Sequence, residues 1–419
     1  MKIVKGVALI LVLLVGWAGF LMWGISDGFI LRPFTSGATS DDFIDAVGAY
    51  AATQSVENVA LMMIEDGQAS ATFFYAPDES VGEDTVFPMA SISKWVTAWG
   101  IFKLIEDGKL DLDTPVDTYL TRWKLPESEF DNQHVTIRRL LSHTSGLVDR
   151  LGYAGFGPGE YVQTIEESLT QAADAPWSEG KAMVGIEPGT RYMYSGAAYT
   201  ILQLVIEEVS GLSFQDFMTQ SIFRPLGMHS ATFVWSDSTD LQRAKRVDAD
   251  GNEAPYRVFT ALAAASLYTT ISDMERFVQA NFGANPVLTA HSLDQMYTPH
   301  AFVNNTIGIH ALGPTIFARN GDGVVIHGHD GSGNLINTAA RINRDTRDGI
   351  IVFETGHPNL ASYIADHWIF WKTGIADYVV INDNKNWLLT LLLGGYVVMF
   401  GGLGWWYWAR RKTKRGARN

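Results

Sequence analysis

FPMASISKW, at residues 87–95, places a serine and a lysine three positions apart at the start of an apolar stretch. This spacing, and the apolar residues that follow as far as Gly108, predict a helix with Ser91 and Lys94 on the same face. A serine hydroxyl becomes nucleophilic when a base takes its proton, and a lysine can be that base only if burial or a nearby cation lowers its pKa. The stretch therefore indicates either a nucleophile with its base or a helix-capping serine beside a solvated lysine.

The same Ser-x-x-Lys spacing occurs again at residues 178–181, in a different context. Pro176 precedes this second copy and Gly180 lies within it. Both residues predict a loop, in which the lysine has no fixed position relative to the serine. The spacing alone is therefore a weak signal. The first copy is the better candidate because it begins a helix.

Strand-like segments lie near both ends of the central region, and helical segments lie between them. The predicted strands are residues 59–64, 71–75, 324–329, 338–342 and 350–354. Asp66-Gly67 predicts a β-hairpin between the first two. Ser40 is predicted to cap one helix and Gly211 to end another, within a mainly helical stretch at residues 110–282. This order predicts an α+β fold in which both chain ends build one sheet, with a helical insert and a site in the crevice between the two parts.

Four stretches of the sequence are similar to the motifs of one protein family, and they occur in the same order and at similar spacing. They are FPMASISKW at 87–95, VTIRRLLSHTSGL at 135–147, PGTRYMYSGAAYTILQLVIEEVSG at 188–211 and HGHDGSGN at 327–334, with AAASLYTTISDMERF at 263–277 as a weaker fifth. Together they resemble the serine β-lactamase and penicillin-binding protein superfamily, specifically its class C β-lactamase-related branch of esterases and DD-peptidases. The resemblance covers residues 40–373. It implies a β-lactamase/transpeptidase-like fold, with an antiparallel sheet flanked by helices and a mainly helical subdomain.

The resemblance assigns roles to residues of the first two motifs. Ser91 matches the family's nucleophile and Lys94 matches its lysine. Tyr194 matches the tyrosine of a Tyr-x-Asn motif and is implied to carry the proton between Ser91 and the leaving group. Gly196 stands where that motif has asparagine, so a donor that orients a substrate carbonyl is missing, which favours an esterase or peptidase over efficient β-lactam turnover. His143 is expected to fix a loop by hydrogen bonding.

The family's third motif, Lys-Thr-Gly or His-x-Gly, matches His329-Asp330-Gly331. Gly331 is implied to let its strand approach the substrate closely. The backbone N–H groups of Ser332 and Ser91 are implied to form an oxyanion hole. Asp330 is expected either to face the substrate or to be a charge at the strand edge. His329 is expected to be a catalytic residue on the active-site strand, with a structural role and a metal-ligand role as the alternatives, and no metal site is predicted.

Composition excludes several other classes of protein. The 419 residues include no cysteine, which rules out a thiol nucleophile, a Cys-ligated metal and a disulfide framework. Eight of the 31 basic residues lie in the two terminal tails, so the stretch between the tails has 23 basic and 45 acidic residues. A region this acidic is a poor candidate for binding nucleic acid.

Two uncharged apolar segments predict membrane-spanning helices. Residues 6–25 are long enough to cross the hydrocarbon core and are predicted to be an uncleaved anchor, with a cleaved signal peptide as the alternative. Residues 387–408 have tryptophans at both ends, as expected at the two interfaces, and a basic tail follows. The predicted organisation is an anchor at 1–25, an extracytoplasmic domain at 26–385, a transmembrane helix at 386–408 and a basic tail at 409–419. Positive charge beside both helices places both termini in the cytoplasm, with the protein in the cell membrane.

These observations predict a membrane-tethered serine hydrolase that forms an acyl-enzyme on Ser91 and needs no metal or organic cofactor. Its expected partners are the lipid bilayer and a small-molecule or peptide substrate, including peptidoglycan fragments. Three carbonyl groups remain open as targets, namely an ester, a D-amino-acid peptide and a β-lactam, because a fold does not choose among them. The alternative is a non-catalytic receptor for β-lactams or cell-wall fragments.

Overall fold

The computed structural model of the chain describes residues 2–54, 57–77, 80–149, 152–235, 241–248, 250–304, 306–321 and 323–416. The chain forms two compact units, a larger one at Ala38–Ala365 and a smaller one that combines residues up to Gly37 with those from Asp366 onwards. Residues 26–37 and 366–385, which were predicted to belong to the extracytoplasmic domain, fall within the smaller unit. The last three residues of the predicted basic tail lie outside the described residues.

The larger unit contains an antiparallel sheet of eight strands in the order β2-β1-β10-β9-β8-β7-β6-β5, and β3 pairs separately with β4. The strands are β1 Asn58–Glu65, β2 Gln68–Tyr75, β3 Phe87–Pro88, β4 Tyr268–Thr269, β5 Ala301–Val303, β6 Ile307–His310, β7 Thr315–Arg319, β8 Val325–Gly333, β9 Ile336–Asn343 and β10 Asp348–Thr355. The first hairpin of the chain thus pairs with the last strand. The prediction of one sheet built from both ends of the domain is confirmed.

Local sequence signals explain which strands could be predicted and which could not. Asp66 and Gly67 have φ values of 48° and 79°, as the two-residue hairpin turn requires, so the predicted hairpin forms. Strands β5, β6 and β7 were not predicted. They are three to five residues long, and the register shifts within the β5–β6 and β7–β8 pairs interrupt the alternation that identifies a strand.

Fourteen helices are described. They are α1 Lys2–Ser26, α2 Ser40–Ala51, α3 Ile92–Glu106, α4 Ile137–Leu141, α5 Ile165–Gln171, α6 Gly196–Ser210, α7 Phe214–Met218, α8 Arg224–Leu226, α9 Leu262–Ala265, α10 Ile271–Ala280, α11 Ala290–Tyr297, α12 Leu360–Thr373, α13 Tyr378–Asp383 and α14 Lys385–Gly416. Gly211 has φ of 72° and ends α6, as predicted. The predicted cap of α2 is wrong by one residue, because Thr39 rather than Ser40 accepts the Asp42 N–H and completes a capping box.

Helix α3 is buried on all sides along most of its length. Every residue from Ile92 to Phe102 is buried, and the helix packs against α6 and α9 and against strands β8 and β9. The rings of Trp95 and Trp99 lie 5.2 and 5.3 Å from the ring of Phe277. A helix in this position carries any polar side chain on its first turn into the protein interior.

The smaller unit contains two helices that are long and apolar enough to cross a membrane, at Ala8–Ser26 and Lys385–Lys412. Helices α1 and α14 pack together, with Trp17 donating a hydrogen bond to the Leu391 carbonyl at 3.3 Å. The Trp17 ring occupies the space that a Cβ on Gly395 would need. This unit therefore holds the two apolar helices as a pair.

Candidate active site

Ser91 stands at the N-terminal end of α3, directly after a residue with an unusual backbone conformation. Ala90 has φ of 45°, in the left-handed region, which costs a non-glycine residue about 1–3 kcal/mol. Neighbouring hydrogen bonds maintain this conformation. The Met89 carbonyl accepts from Thr338 Oγ1 at 3.0 Å, and the Ala90 carbonyl accepts from Ser93 Oγ. The turn before Ser91 is therefore fixed from both the sheet and the helix.

The Ser91 hydroxyl is not used to cap the helix. Ser91 occupies the N-cap position, but its side chain makes no capping hydrogen bond to the backbone. Instead Ser91 Oγ accepts a hydrogen bond from Lys94 Nζ at 3.0 Å. Of the two interpretations of this stretch, the geometry supports a serine paired with a base.

The Lys94 amine is buried, with 3% of the residue exposed. Its Nζ donates a second hydrogen bond to the Ala264 carbonyl at 2.7 Å, which fixes its position beside Ser91. Burial lowers the pKa of Lys94 from 10.5 to about 7, and the Asp149 carboxylate opposes part of this shift. The alternative of a solvated lysine is wrong, and a substantial fraction of Lys94 is neutral at neutral pH.

Tyr194 lies against both members of this pair. Its hydroxyl shares a hydrogen bond with Ser91, and Lys94 Nζ lies 4.9 Å from the centroid of its ring. Burial raises the pKa of Tyr194 above its ordinary value, although the hydrogen bond to Ser91 opposes the shift. Tyr194 is therefore protonated at neutral pH. Of the two groups beside Ser91, Lys94 is the one that can accept a proton in the resting state.

His143 and Asp149 hold the segment that carries Tyr194. His143 has φ of 56°, its Nδ1 accepts the Ser195 N–H at 3.1 Å, and its carbonyl accepts the Met193 N–H at 2.8 Å. Both neighbours of Tyr194 are thus tied to His143, as its predicted loop-fixing role requires. Asp149 accepts hydrogen bonds from the Ser195 hydroxyl and, at 3.1 Å, from the N–H of Ala197 in the first turn of α6. The sequence did not indicate that Asp149 belongs to the site, because it lies more than forty residues before Ser195 in the chain.

Strand β8 brings the third motif to the same place. His329 is buried, and burial together with Lys94 holds its pKa well below its ordinary value, so its ring is neutral. Its Nδ1 donates to the Asp330 carbonyl at 2.6 Å. His327, two residues earlier, is buried separately and bonds to the Tyr297 carbonyl at 3.2 Å. Within the described ranges, no three ligand-type side chains are grouped so that they could hold a metal ion.

Asp330 is both a cavity residue and an ion-pair partner. Its two carboxylate oxygens accept from Arg341 Nη1 at 2.7 Å and from Nη2 at 3.1 Å. Arg341 is fully buried, and its guanidinium lies 3.3 Å from the ring centroid of Phe317. Asp330 therefore faces the cavity with its charge largely balanced. Arg341 was missed from the sequence because its role depends on the pairing of β8 with β9.

The structure places the two glycines of the predicted site in different surroundings. A Cβ on Gly331 would lie 2.1 Å from the Met89 carbonyl oxygen, so this glycine lets β8 approach the turn before Ser91 rather than the substrate. Gly196 is buried in the first turn of α6 and is not among the described residues that line the cavity. An asparagine side chain is nevertheless missing from the position beside Tyr194 that the family motif provides.

His310 joins the site although it was not predicted. The residue is fully buried, and its ring centroid lies 5.0 Å from that of His143 and 6.4 Å from that of His329. Burial lowers the pKa of His310 to about 4, and it also holds the pKa of His143 well below its usual range. All three imidazoles are therefore neutral near Lys94. His310 was missed because it ends β6, one of the strands that the sequence did not reveal.

Ser91, Lys94, Tyr194, His329, Asp330 and Ser332 all line one cavity of about 530 Å³ in the larger unit. Most of its remaining surface is apolar. The aromatic residues that line it are Tyr153, Trp177, Tyr194, Tyr256, Phe259, Tyr268 and Phe317. A cavity of this size accepts a small molecule or part of a peptide.

Comparison with known proteins agrees with this architecture. Residues 43–393 match the family model described as Beta-lactamase. A penicillin-binding protein of Bacillus subtilis (strain 168) is 39% identical over 146 residues, which are 35% of this chain and 30% of that protein. Esterase EstB of Burkholderia gladioli is 31% identical over 188 residues, 42% of this chain and 45% of that protein. The chain thus spans less than half the length of these two curated relatives.

A solved structure shows the same fold over most of the chain. The octameric penicillin-binding protein homologue from Pyrococcus abyssi superposes with a TM-score of 0.67 and 25% sequence identity, over 80% of this chain and 78% of that one. The family model covers well over half of the chain, and it includes every residue of the cavity. The chain therefore belongs to the beta-lactamase family, a family of serine hydrolases.

Proposed function

We propose that this chain hydrolyses a carbonyl substrate through an acyl-enzyme on Ser91. The observation that carries the proposal is the buried Lys94 amine, with a pKa of about 7, at 3.0 Å from Ser91 Oγ. A lysine in water is almost completely protonated at neutral pH and has no lone pair to offer a serine. Burial removes this obstacle, so Lys94 can act as the general base that a serine nucleophile needs.

Acylation then proceeds in two steps. Neutral Lys94 takes the Ser91 proton while Oγ attacks the carbonyl carbon, and the backbone N–H groups of Ser91 and Ser332 stabilise the oxyanion. Each such donor commonly contributes about 10²–10³ in kcat. As the intermediate collapses, Tyr194 gives its proton to the leaving oxygen or nitrogen, and the Lys94 ammonium reprotonates Tyr194. The products of this stage are the free leaving group and an acyl ester on Ser91.

Deacylation reverses these transfers with water as the nucleophile. Water loses a proton to the Lys94–Tyr194 pair as it attacks the acyl carbon. Ser91 Oγ then leaves and recovers a proton from the same pair, which regenerates the resting enzyme. The absence of an asparagine at Gly196 favours esters or D-amino-acid peptides over β-lactams as efficient substrates.

The proposal predicts covalent labelling at Ser91. Incubation of the purified full chain with an activated fluorophosphonate should add one phosphonyl group, since the activated hydroxyl displaces fluoride. Intact mass and peptide mapping should place this group on Ser91, and a fluorescent penicillin should form an acyl adduct at the same residue. A folded chain that reacts with neither reagent, and that hydrolyses no activated ester, would contradict the proposal.

A receptor is the second candidate, and the same reagents distinguish it. Catalysis predicts an acyl adduct that turns over and a measurable rate with activated esters. A penicillin adduct that persists for hours, together with no ester turnover, would instead support a receptor for β-lactams or cell-wall fragments. The pairing of Ser91 with a lysine that is partly neutral at neutral pH favours the enzyme.

We further propose that the chain is anchored in the cell membrane by α1 and α14. Both helices satisfy the length and hydropathy of a membrane span, and none of the residues in the apolar window of α14 is buried. The last turns of α14 are basic, and this charge supports a topology with both termini in the cytoplasm and the larger unit outside it.

This topology predicts a specific protection pattern. In intact cells whose outer barrier has been removed, added protease should leave a peptide tag after Asn419 uncut. A protease site inserted at Gly159, in an exposed turn of the larger unit, should be cleaved under the same conditions. Cleavage of the tag in cells whose membrane is intact would show that the proposed orientation is wrong.

A further inference from the structure

Near its C-terminal end, α14 carries a belt of aromatic rings at residues 405–408. The four side chains of this aromatic belt are between 47% and 70% exposed, and they are Trp405, Trp406, Tyr407 and Trp408. Successive residues of a helix project about 100° apart, so four consecutive rings surround the helix axis. The belt therefore presents aromatic surface around the whole end of this helix.

Three of these rings are each covered by a basic side chain from four residues further along the helix. The guanidinium carbon or ammonium nitrogen lies 3.9, 4.7 and 4.3 Å from the ring centroid in the pairs Arg410–Trp406, Arg411–Tyr407 and Lys412–Trp408. Residues four apart are neighbours on a helix surface, and a cation is attracted to the face of an aromatic ring. The stacking therefore holds three flexible cations at a defined level, one turn beyond the belt.

The positive charge at this end of α14 is not balanced by acidic side chains of the same helices. Residues 385–419 include seven Lys and Arg residues and no Asp or Glu. The helix that packs against α14 is α1, at Lys2–Ser26, and its sequence also has no Asp or Glu. An anionic partner from the surroundings is therefore attracted to this end.

The levels of the rings and of the cations match the layers of a bilayer. Trp387 and Trp406 are 19 residues apart, which is about 29 Å along a helix. The hydrocarbon core is about 30 Å thick, and the headgroup region adds about 5–7 Å on each side. The cations lie four residues, or about 6 Å, beyond their rings. Rings at the two interfaces thus place the three cations at the level of lipid phosphates.

The other end of α14 has a different balance of charge. The Arg32 guanidinium carbon lies 3.7 Å from the ring centroid of Trp387. Asp377 caps the short helix α13 just before α14, and Asp383 ends it. One cation with two carboxylates nearby in the chain gives little preference for an anion. The two ends of the span therefore differ, and the C-terminal end is the cationic one.

We propose that Arg410, Arg411 and Lys412 bind the phosphate groups of anionic phospholipids, with the aromatic belt packed against the glycerol and upper acyl chains of these lipids. This inference goes beyond the proposed hydrolase and rests on the proposed membrane anchoring. A guanidinium matches phosphate oxygens in charge and in geometry. Basic residues next to a membrane span also strengthen its attraction to anionic headgroups.

Native mass spectrometry of the full chain tests the inference. The chain is purified in dodecyl maltoside and titrated with palmitoyl-oleoyl phosphatidylglycerol or with the phosphatidylcholine of the same acyl chains, which has no net charge. The parent should bind phosphatidylglycerol with an apparent Kd at least about tenfold lower than that for phosphatidylcholine. Substitution of Arg410, Arg411 and Lys412 by Gln in one chain should lower this ratio by about tenfold, because each such cation contributes about fivefold at most.

A second triple variant is the matched control. Lys109→Gln, Lys181→Gln and Arg224→Gln remove the same charge from exposed positions of the larger unit, so the lipid ratio should stay parental. Both triple variants should remain folded, because Gln suits an exposed helix and removes no buried group. A parental ratio near one overturns the inference. A control variant that lowers the ratio as much as the variant at 410–412 also overturns it.

Two further measurements separate the lipid site from general charge and from anchoring. Trp406→Leu, Tyr407→Leu and Trp408→Leu in one chain keep the cations but remove the rings beneath them, and should lower the ratio by about two- to threefold. A ratio that these changes leave unaltered would contradict the role of the stacking. A chain that resists alkaline extraction from phosphatidylcholine vesicles, yet shows no preference for phosphatidylglycerol, would overturn the lipid site and leave the proposed anchoring intact.

Discussion

Ser91→Ala is expected to lower kcat for an activated ester by about 10⁴–10⁶-fold. Removal of a serine nucleophile leaves only the rate that binding and oxyanion stabilisation provide, and in comparable enzymes such losses reach about 10⁶. The fold should survive, because the Ser91 hydroxyl makes no capping hydrogen bond and contacts Lys94 and Tyr194 rather than the core. Steady-state kinetics with 4-nitrophenyl hexanoate, alongside a thermal melt, measures both quantities.

The second Ser-x-x-Lys copy provides the control for this experiment. Ser178 and Lys181 have the same spacing, but they lie outside the helices and strands, and neither lines the cavity. Ser178→Ala should therefore retain parental kcat and full fluorophosphonate labelling. If Ser91→Ala and Ser178→Ala were equally active, the ester hydrolysis would not come from Ser91, and the mechanism proposed above would be wrong.

The sequence could predict those parts of the fold whose signals are local. The Asp66-Gly67 turn is set by two adjacent residues, and the end of α6 is set by one glycine that can adopt positive φ. Strands β5, β6 and β7 instead extend the sheet from β8, which lies after them in the chain: β7 pairs with β8, β6 with β7 and β5 with β6. Short strands with register shifts have no periodicity of their own, so their stability comes from the sheet that they join.

In the candidate site, too, the features set by local sequence could be predicted and those set by distant residues could not. Motif spacing was enough to pair Ser91 with Lys94, because three residues of helix bring them together whatever surrounds the helix. The burial that lowers the pKa of Lys94 could not be predicted, since it depends on α6, α9 and the sheet enclosing α3. The carbonyl of Ala264 and the charge of Asp149 reach Lys94 from positions far along the chain. The motif therefore predicted which residues are the nucleophile and the base, whereas the lowered pKa of Lys94 depends on the folded structure.

Lys94→Met is expected to lower kcat/KM for an activated ester by about 10²–10⁴-fold, the usual contribution of a general base. Methionine has a similar length and suits a buried site, so the fold should be retained. In the parent, kcat/KM should fall about tenfold per pH unit below pH 7, because protonation of Lys94 removes the base, and it should level off above pH 7. The residual activity of Lys94→Met should lack this acid limb.

Two further variants distinguish a role of Lys94 as general base from a role as a positive charge. Lys94→Arg should be as inactive as Lys94→Met, because a guanidinium cannot give up its proton in a protein and so cannot accept one from Ser91. Lys103→Met changes a partly exposed lysine on the same helix, paired with Asp107, and should leave both the rate and the acid limb unchanged. An active Lys94→Arg enzyme would assign Lys94 an electrostatic role. An acid limb that persists in Lys94→Met would mean that a group other than Lys94 is the base.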